Sequence, residues 1–576
     1  MKRIFKLKLF HHSTTPLLQT FCIPLLSFFI FSPVQFSQSP IPYKNGVVVS
    51  ASNLASNVGV EILKKGGNAI DAAVAVGFAL AVTYPSAGNI GGGGFMVIHF
   101  ADGKETTIDY REKAPGSAYR DMYLDAEGNY IPELSNSGVT ATGVPGSVAG
   151  LLYALEKYGT LSPAEVIEPA IKLAEEGFIL DYYTARSFRY SLNTFFEYES
   201  STSVFSKGGK PYEESDKFFQ PDLAWTLKQI KEKGRDGFYK GKVAELFVGQ
   251  VQKNGGYITL NDLEEYNPVE REPVKGTYRG YEITSMAPPS SGGVCLIELL
   301  NILENFEFTK EEWGSSRYIH KLVEAMKYVY ADRSMHLGDP DYYDVPVSSL
   351  LSKKYAGEIF DKIENYATPS SEISPSEQDT FTESEETTHY SIYDKYGNAV
   401  STTTTLNSSF GNKIVVDGAG FLMNNEMDDF SAKPGEPNIF GLTGGEANSI
   451  EPGKRMLSSM TPTIVLKEGR PYLIIGSPGG STIITVVLQV ILNVLDFGMN
   501  IKQAIDMPRI HHQWLPDRID YEPFFLTTDV KENLLDLDHI LDNERELGRV
   551  EGILIDENYL IWGATDPRGY GGVAGY

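Results

Sequence analysis

The chain has 576 residues, a formal net charge of −25 and 42% hydrophobic residues, so it has ample material for a large folded core. So acidic a protein repels nucleic acid and anionic lipid, which argues against a polyanion-binding function. Only two cysteines occur, Cys22 and Cys295, and the stretch "SSGGVCLIELL" predicts a buried helix position for Cys295 rather than a disulfide.

Residues 1–38 have the pattern of a secretory signal peptide. Basic residues precede an apolar run from Leu17 to Phe31, and small or polar residues follow it. Polar residues interrupt this run, which falls short of the ~20 apolar residues that cross a bilayer, so a membrane anchor is the weaker interpretation. We expect an exported protein with no stable membrane anchor, periplasmic or else secreted, and no A-x-A-like motif fixes the cleavage position.

Strand and helix patterns alternate from Val47 onward. The β-branched "NGVVVSAS" predicts a strand, and "NLASNVGVEILKKGGNAIDAAVAVGFALAV" has apolar residues at helical spacing, broken by Gly66-Gly67. The alanines of residues 71–82 predict a helix packed closely on both sides. "GGGGFMVIHF" and "ETTIDYREKAP" predict the next strands, the second carrying Arg111.

Further helices and a polar tail follow. Ser162 and Glu165 have the spacing of a capping box at the start of one helix. "HKLVEAMKYVYADRSMHLGDP" predicts another helix, on which His320 and Glu324 form a surface pair without a third metal ligand nearby. Residues 366–386 are rich in Ser, Thr and Glu and predict a flexible tail. Interleaved strands and helices indicate an α/β or α+β layered fold.

A hairpin with unusual polarity begins directly after this tail. In "TTHYSIYDKYGNAVSTTTTLN", residues 394–398 predict a turn between two strands. Period-2 alternation places Ser401, Thr403, Thr405 and Asn407 on one face of the second strand. Spacing alone also allows a solvent-facing, threonine-rich strand, because threonine suits strands.

The junction at Thr387 suggests self-cleavage. A threonine hydroxyl can attack the carbonyl of the preceding residue, Glu386, and water then cleaves the resulting ester. Thr387 would then carry a free α-amino group, whose pKa of ~7.7–8 allows it to act as a base at neutral pH. One residue would therefore supply both nucleophile and base.

The chain resembles the γ-glutamyltranspeptidase family of the N-terminal nucleophile hydrolase superfamily from about Val47 to Tyr576. The motifs that carry the resemblance include "EILKKGGNAIDAAVAVGFALAVTYPSAGNIGGGGFM", "DYREKAP", "NNEMDDFSAKPG", "LSSMTPTIV", "GSPGGS" and "DPRGYGGVAGY". The resemblance implies an α+β, four-layer αββα sandwich. It also implies a large subunit of residues 39–386 and a small catalytic subunit of residues 387–576, which associate as a heterodimer.

The resemblance implies specific catalytic roles. The family nucleophile falls on Thr387, Thr405 orients its hydroxyl, and Thr403 matches a position tied to processing. The expected reaction is transfer of the γ-glutamyl group of glutathione and related compounds to water or to an amino acid or peptide acceptor.

The resemblance also implies a binding site for a zwitterion. Positions matching those that hold the substrate's α-ammonium are Asn407, Glu426 and Asp429, and those matching the α-carboxylate site are Arg111, Ser458 and Ser459. Acids at one end and an Arg with hydroxyls at the other suit a γ-glutamyl group.

Two further motifs complete the implied site. Gly479 and Gly480 would supply the N–H donors of an oxyanion hole. Residues 434–445 match a lid in which Phe440 replaces a frequent tyrosine, so the hydrogen bond toward Asn407 is lost. We hypothesise a lid that closes less firmly.

Other readings remain open at this stage. A same-fold acylase could act on a glutaryl-cephalosporin or on poly-γ-glutamate, and an inactive homologue could serve as a binding module. "GNIGGGGF" lacks the features of a P-loop and indicates close backbone packing. His511 and His512 are adjacent on a strand and point to opposite faces, so we expect no metal there, and the implied mechanism requires no cofactor.

Overall fold

The computed structural model describes residues 40–373 and 387–576, so the predicted signal peptide and Glu386 lie outside the described residues. The strands of this part of the chain are β1 (Pro42–Tyr43), β2 (Val47–Ser50), β3 (Gly93–His99), β4 (Glu105–Asp109), β5 (Phe178–Ile179), β6 (Lys217–Phe218), β7 (Val269–Arg271), β8 (Val274–Tyr278), β9 (Tyr281–Ser285), β10 (Thr388–Tyr393), β11 (Ala399–Thr405), β12 (Thr463–Lys467), β13 (Arg470–Ile475), β14 (Ile510–His511), β15 (Ile519–Tyr521), β16 (Leu541–Glu544), β17 (Glu551–Ile555), β18 (Ile561–Thr565) and β19 (Gly572–Gly575).

The α-helices of the same residues are α1 (Asn53–Lys64), α2 (Ala69–Thr83), α3 (Pro132–Asn136), α4 (Ser147–Tyr158), α5 (Pro163–Glu176), α6 (Tyr182–Phe195), α7 (Glu199–Phe205), α8 (Pro221–Lys233), α9 (Asp236–Tyr239), α10 (Gly241–Lys253), α11 (Leu260–Glu265), α12 (Gly292–Leu303), α13 (Ser316–His336), α14 (Val347–Leu350), α15 (Lys353–Phe360), α16 (Ser370–Ile373), α17 (Ile483–Leu495), α18 (Ile501–Asp506) and α19 (Thr528–Asp536). Within the described ranges, no helix has both the length and the apolar character needed to cross a membrane.

Two seven-stranded antiparallel sheets form the centre of the fold. The first sheet has the order β1-β18-β17-β13-β12-β9-β8, and the second has the order β19-β2-β10-β11-β3-β4-β7. Each sheet contains strands from before and after position 387. A chain cut at that position would therefore leave both pieces hydrogen-bonded into both sheets.

Alternating side chains in β2 show how the layers stack. Val48 packs into a core with α1, α2, α4 and α5, whereas Val47 and Val49 pack with Ile464 and Ile474 of the first sheet. Successive side chains of a strand point to opposite faces, so the second sheet is buried on both sides. Helices α12, α13 and α17 share the core that includes the first sheet. The layers are therefore helix, sheet, sheet and helix, and the predicted αββα sandwich is confirmed.

The local predictions near the N-terminal end hold. Helix α1 ends before Gly66, and α2 begins after Asn68, whose side chain accepts hydrogen bonds from the backbone at Ile70 and Asp71. Every residue of α2 is buried, as its alanines indicated. The capping box of α5 and the burial of Cys295 in α12 are also as predicted.

The glycine run before β3 is a close-packing device, as expected. A Cβ atom at Gly92 would lie 2.1 Å from the carbonyl oxygen of Thr405, and one at Gly94 would lie 2.4 Å from that of Thr403. Strand β3 begins within this run and pairs with β11 at Gly93 and Gly94. The run therefore lets backbone approach the strand that carries the predicted catalytic threonines.

Two boundaries differ from expectation. Arg111 lies two residues beyond the end of β4, in the segment that enters the site, rather than on a strand. Residues 366–373 are not a loose tail, because Ala367 N donates to Leu537 O at 2.8 Å and Ser370 N donates to Asp517 at 2.8 Å. The rest of that predicted tail, 374–386, lies outside the described residues.

Candidate active site

The predicted nucleophile stands at the entrance to a central strand pair. Strands β10 and β11 are antiparallel with Thr388 opposite Thr404, so extending the register by one residue places Thr387 opposite Thr405. Directly opposed residues have Cβ atoms about 4.5–5.5 Å apart. Thr387 is buried, and both threonines line the same cavity.

Strand β11 is buried along its whole length, so the solvent-facing alternative is wrong. Ser401 Oγ donates to Ile475 O of the first sheet at 3.0 Å, and Thr403 Oγ1 lies 2.9 Å from His389 Nδ1. Thr405 Oγ1 accepts from Asn407 N at 2.8 Å. Buried hydroxyls need such partners, and the bond of Ser401 joins the two sheets.

Thr403 belongs to this interior network rather than to the lining of the cavity. Its partner His389 also contacts Ser391 Oγ at 3.0 Å, and burial lowers the pKa of His389 to about 3. The imidazole is therefore neutral at physiological pH. The network ties β10 to β11 two residues after Thr387.

A small cavity collects most of the predicted site residues. Its volume is about 40 Å³, room for only about three water molecules. The predicted residues that line it are Arg111, Thr387, Thr405, Asn407, Glu426, Asp429, Phe440, Ser458, Ser459 and Gly480. Residues from distant parts of the sequence therefore meet where the resemblance implied one site.

Arg111 is paired directly with the acids that were expected at the opposite end of a substrate. Its Nη1 lies 2.6 Å from Glu426 Oε2, its Nη2 donates to Asp429 Oδ2, and its Nη1 is 3.5 Å from Glu112 Oε2. Leu457 O accepts from Nη2 at 3.2 Å. The residues predicted for the two ends of the substrate are therefore in direct contact with each other.

One guanidinium is shared by three carboxyl groups, of which Glu112 and Glu426 are fully buried. Burial lowers the pKa of Arg111, but the charges of Glu426 and Asp429 outweigh this effect and raise it overall. Burial raises the pKa of Glu426 well above its usual value, and it raises that of Glu112 to about 8. Neither oxygen of Glu426 has a hydrogen-bond partner in the described part of the chain, although Oε2 is close to Arg111. The three carboxyl groups therefore share one cation, and burial favours the protonated form of Glu426 and Glu112.

A second buried arginine, which sequence reasoning missed, binds Ser459, one of the two predicted site serines. Arg333 at the end of α13 donates to Ser459 Oγ and to Ser291 Oγ, both at 3.0 Å, and it lines the cavity. Burial lowers the pKa of Arg333 from its usual value. Its signal was the "YADR" motif, whose arginine follows a run of buried helical positions.

The turn predicted to form the oxyanion hole has a backbone conformation that favours glycine at both positions. Gly479 and Gly480 have φ of +136° and +52°, a region that side chains disfavour. A Cβ atom at Gly480 would lie 2.7 Å from the ring of Phe440. Of the two glycines, only Gly480 belongs to the cavity lining.

The segment that matches the lid covers the cavity. Phe440 is buried, Ile439 N donates to Asp428 Oδ2 at 3.0 Å, and Asn438 Nδ2 donates to Asp429 Oδ1 at 3.3 Å. These bonds anchor the segment without a tyrosine hydroxyl. One of them ends on Asp429, which also binds Arg111.

His320 and Glu324 are not a surface pair. Both are buried, and His539 joins them, with Nε2 lying 2.8 Å from His320 Nδ1. Lys327 Nζ lies 2.9 Å from Glu324 Oε1 and thus supplies a positive charge to this carboxylate. Glu324 Oε2 accepts from Thr368 N at 3.1 Å, so the cluster binds the segment that leads toward position 387.

His511 ends β14, whereas His512 lies just beyond the strand on which both were predicted. His511 contacts Thr485 Oγ1 at 2.8 Å, whereas His512 lies 3.2 Å from Asp517 Oδ1. The two imidazoles therefore serve different networks.

The αββα sandwich, with a threonine at the start of a central strand and a glycine turn beside it, defines an N-terminal nucleophile hydrolase. Within that class the chain belongs to the γ-glutamyltranspeptidase family, whose model, described as Gamma-glutamyltranspeptidase, matches residues 55–576.

Individual relatives agree with this assignment. The chain is 49% identical over 531 residues to the glutathione hydrolase proenzyme of Escherichia coli (strain K12), covering 92% of this chain and 91% of that protein. The crystal structure of a cephalosporin acylase from Bacillus halodurans matches with a TM-score of 0.84 and 30% identity, covering 94% and 98% of the two chains. That of Helicobacter pylori γ-glutamyltranspeptidase has 52% identity and a TM-score of 0.56, covering 57% of this chain and 94% of the other.

Proposed function

We propose that this chain is a self-processing γ-glutamyltranspeptidase that cleaves glutathione and related γ-glutamyl compounds through an acyl-enzyme at Thr387. The observation that carries the proposal is the shared cavity. Thr387, the paired charges of Arg111 with Glu426 and Asp429, and Gly480 all line it. A nucleophile beside a zwitterion-binding surface suits the γ-carbonyl of a glutamyl group.

Processing begins with attack of the Thr387 hydroxyl on the carbonyl carbon of Glu386. The peptide C–N bond breaks, the nitrogen takes a proton to become the Thr387 amine, and water then hydrolyses the ester. The products are residues 39–386 and 387–576. Strands of both segments lie in both sheets, which supports a heterodimer that stays together after the cut.

Catalysis then uses the new amine as the base. It takes the proton of the Thr387 hydroxyl as the oxygen attacks the γ-carbonyl carbon. Backbone N–H groups of Gly479 and Gly480 stabilise the oxyanion, and the protonated amine returns its proton to the leaving nitrogen. The ester is then cleaved by water, or by the amine of an amino acid or peptide acceptor. Thr405, on the neighbouring strand β11, holds the Thr387 hydroxyl in position.

Substrate recognition follows from the charge imbalance. The substrate ammonium would take the place of Arg111 as the cation beside Glu426 and Asp429, assisted by the Asn407 side chain. Its carboxylate would take the hydrogen bonds of Arg111, Ser458 and Ser459. The ligand therefore replaces the internal ion pairs with external ones, which limits the cost of desolvation.

Glu426 and Asp429 argue against a glutaryl acylase, because a glutaryl group has no ammonium for them to bind. A poly-γ-glutamate substrate requires an open groove, whereas Phe440 covers this cavity. We place the mature enzyme outside the cytoplasm, in the periplasm, on the basis of the pattern of residues 1–38.

The processing step is tested by intact mass together with turnover of γ-glutamyl-p-nitroanilide. Wild type should give two chains, the smaller starting at Thr387, and release p-nitroaniline. Thr387→Ala should remain one chain and be inactive. An active wild type of uncut length would refute the proposal, and an uncut, inactive wild type would indicate the binding-module alternative.

Substrate selectivity is tested by Asp429→Asn. The variant keeps the size of the side chain but loses a charge beside the ammonium, and loss of one partner of a buried charge pair costs about 2–5 kcal/mol. We expect kcat/KM for γ-glutamyl-p-nitroanilide to fall, while the value for glutaryl-p-nitroanilide stays level or rises. An equal fall for both substrates would contradict the assignment of Asp429.

A further inference from the structure

One side chain outside the predicted site, Gln513, contacts both the lid and the glycine turn. Gln513 follows β14, and its Nε2 donates to Phe440 O in the lid at 3.2 Å. Its Oε1 accepts from Ser481 Oγ at 2.6 Å. Ser481 directly follows Gly480, so the same amide touches both the lid and the turn of the proposed oxyanion hole.

A buried histidine also contacts this amide. His511 Nε2 lies 3.0 Å from Gln513 Oε1, and His511 Nδ1 lies 2.8 Å from Thr485 Oγ1. Burial lowers the pKa of His511 to about 3, so the ring is neutral and carries one N–H. The Phe440 carbonyl can only accept a hydrogen bond, so the amide nitrogen points to the lid and the amide oxygen to Ser481.

The lid also makes polar contacts with the segment that carries Asp428 and Asp429. Asn438 binds Asp429 and Ile439 binds Asp428, whereas the Phe440 carbonyl binds Gln513. The Phe440 ring lies against the position where a Gly480 side chain would begin. A substitution of Gln513 therefore affects both the lid and the glycine turn.

We propose that Gln513 is a positioning residue that holds the lid over the acyl-enzyme and couples its closure to the oxyanion turn, thereby setting the balance between transfer and hydrolysis. This inference rests on the proposed function. A closed lid limits the access of water to the Thr387 ester, whereas an acceptor amine is bound in place. The amide has two arms, the lid arm from Nε2 to Phe440 O and the turn arm between Oε1 and Ser481 Oγ, and each has a separate consequence.

Two variants separate the arms. Gln513→Glu keeps an acceptor for Ser481 and His511 but turns a carboxylate oxygen toward the Phe440 carbonyl, so the lid is released. We expect the transfer-to-hydrolysis ratio to fall about 2- to 10-fold, the factor that one neutral hydrogen bond supplies. Ser481→Ala removes only the turn arm, and we expect a similar loss of kcat/KM in both reactions with the ratio unchanged. Gln229→Glu on α8 controls for the added charge.

Deuterium exchange gives a readout that does not depend on turnover. In a Thr387→Ala background, Gln513→Glu should speed exchange at the amides of residues 438–442 and leave α17 unchanged. Unchanged lid exchange, or an unchanged product ratio in an active Gln513→Glu enzyme, would overturn the inference. Absence of γ-glutamyl turnover in wild type would instead overturn the proposed function, and the exchange experiment would still decide the role of Gln513.

Discussion

Gly480 carries two constraints that can be tested separately. Its φ of +52° disfavours a side chain, and a Cβ atom there would press on the Phe440 ring at 2.7 Å. Gly480→Ala should therefore displace the turn and lower kcat about 10²–10³-fold, the usual effect of losing an oxyanion donor. Steady-state kinetics with γ-glutamyl-p-nitroanilide measures this loss.

Gly469→Ala is the matched control for this change. Gly469 also has a positive φ, +72°, but no atom lies within 4 Å of its added Cβ position. It should share the backbone strain of Gly480→Ala and keep kcat. Equal losses in the two variants would mean that strain alone, and not the oxyanion turn, explains the effect.

Single residues were predictable where a chemical role dictates the residue type. Thr387, Arg111 and Asp429 were predicted from the motifs, and all three meet in one cavity. Arg333 and Gln513 were not predicted, because the "YADR" motif does not show what its arginine contacts and an isolated glutamine after a short strand has no pattern of its own. Only the packing of distant elements reveals that they touch the site.

Among the elements, β11 shows where a periodicity argument fails. Its polar face was correctly placed, with Ser401 and Thr403 on one side, but polarity did not distinguish solvent from an interface between two sheets. Inside the sandwich those hydroxyls are satisfied by the facing sheet and by His389. Residues 366–373 show the converse, because a polar composition hid backbone hydrogen bonds to Asp517 and Leu537.

The lid element carries the prediction about Phe440. Phe440 and Asn407 line the same cavity, so a tyrosine hydroxyl at position 440 should add a hydrogen bond toward Asn407. Phe440→Tyr should raise the transfer-to-hydrolysis ratio about 2- to 10-fold. Product analysis with a dipeptide acceptor measures the ratio, and Phe219→Tyr at the exposed surface is the control. An unchanged ratio would indicate that the bonds of Asn438, Ile439 and Gln513 already close the lid fully.

At the scale of the whole molecule, the layered fold was predictable from the family resemblance and from the strand and helix patterns, whereas the strand order was not. Strands next to each other in a sheet come from distant parts of the chain, such as β2 between β10 and β19. Long-range pairing of this kind leaves no local trace in the sequence. Because strands of both segments share both sheets, the large and small segments stabilise each other.

Glu298 in α12 makes that stability depend on pH. Burial raises the pKa of its carboxyl well above the usual value, and the nearby charge of Asp332 raises it further. The folded state therefore holds a proton that the unfolded chain releases near pH 4–5. This contribution to stability is complete below the unfolded pKa and is lost as the pH rises toward the folded pKa.

Glu298→Gln should remove this dependence, because an amide resembles the protonated acid at every pH. The loss in wild type is about 1.4 kcal/mol per pH unit between the two pKa values, so the Tm of the variant should gain on that of wild type from pH 5 to pH 8. Thermal unfolding of both proteins at several pH values measures the difference. Glu307→Gln changes an exposed carboxyl of the same segment and should track wild type throughout. Parallel curves for wild type and Glu298→Gln would show that the buried carboxyl is already ionised and compensated in the folded protein.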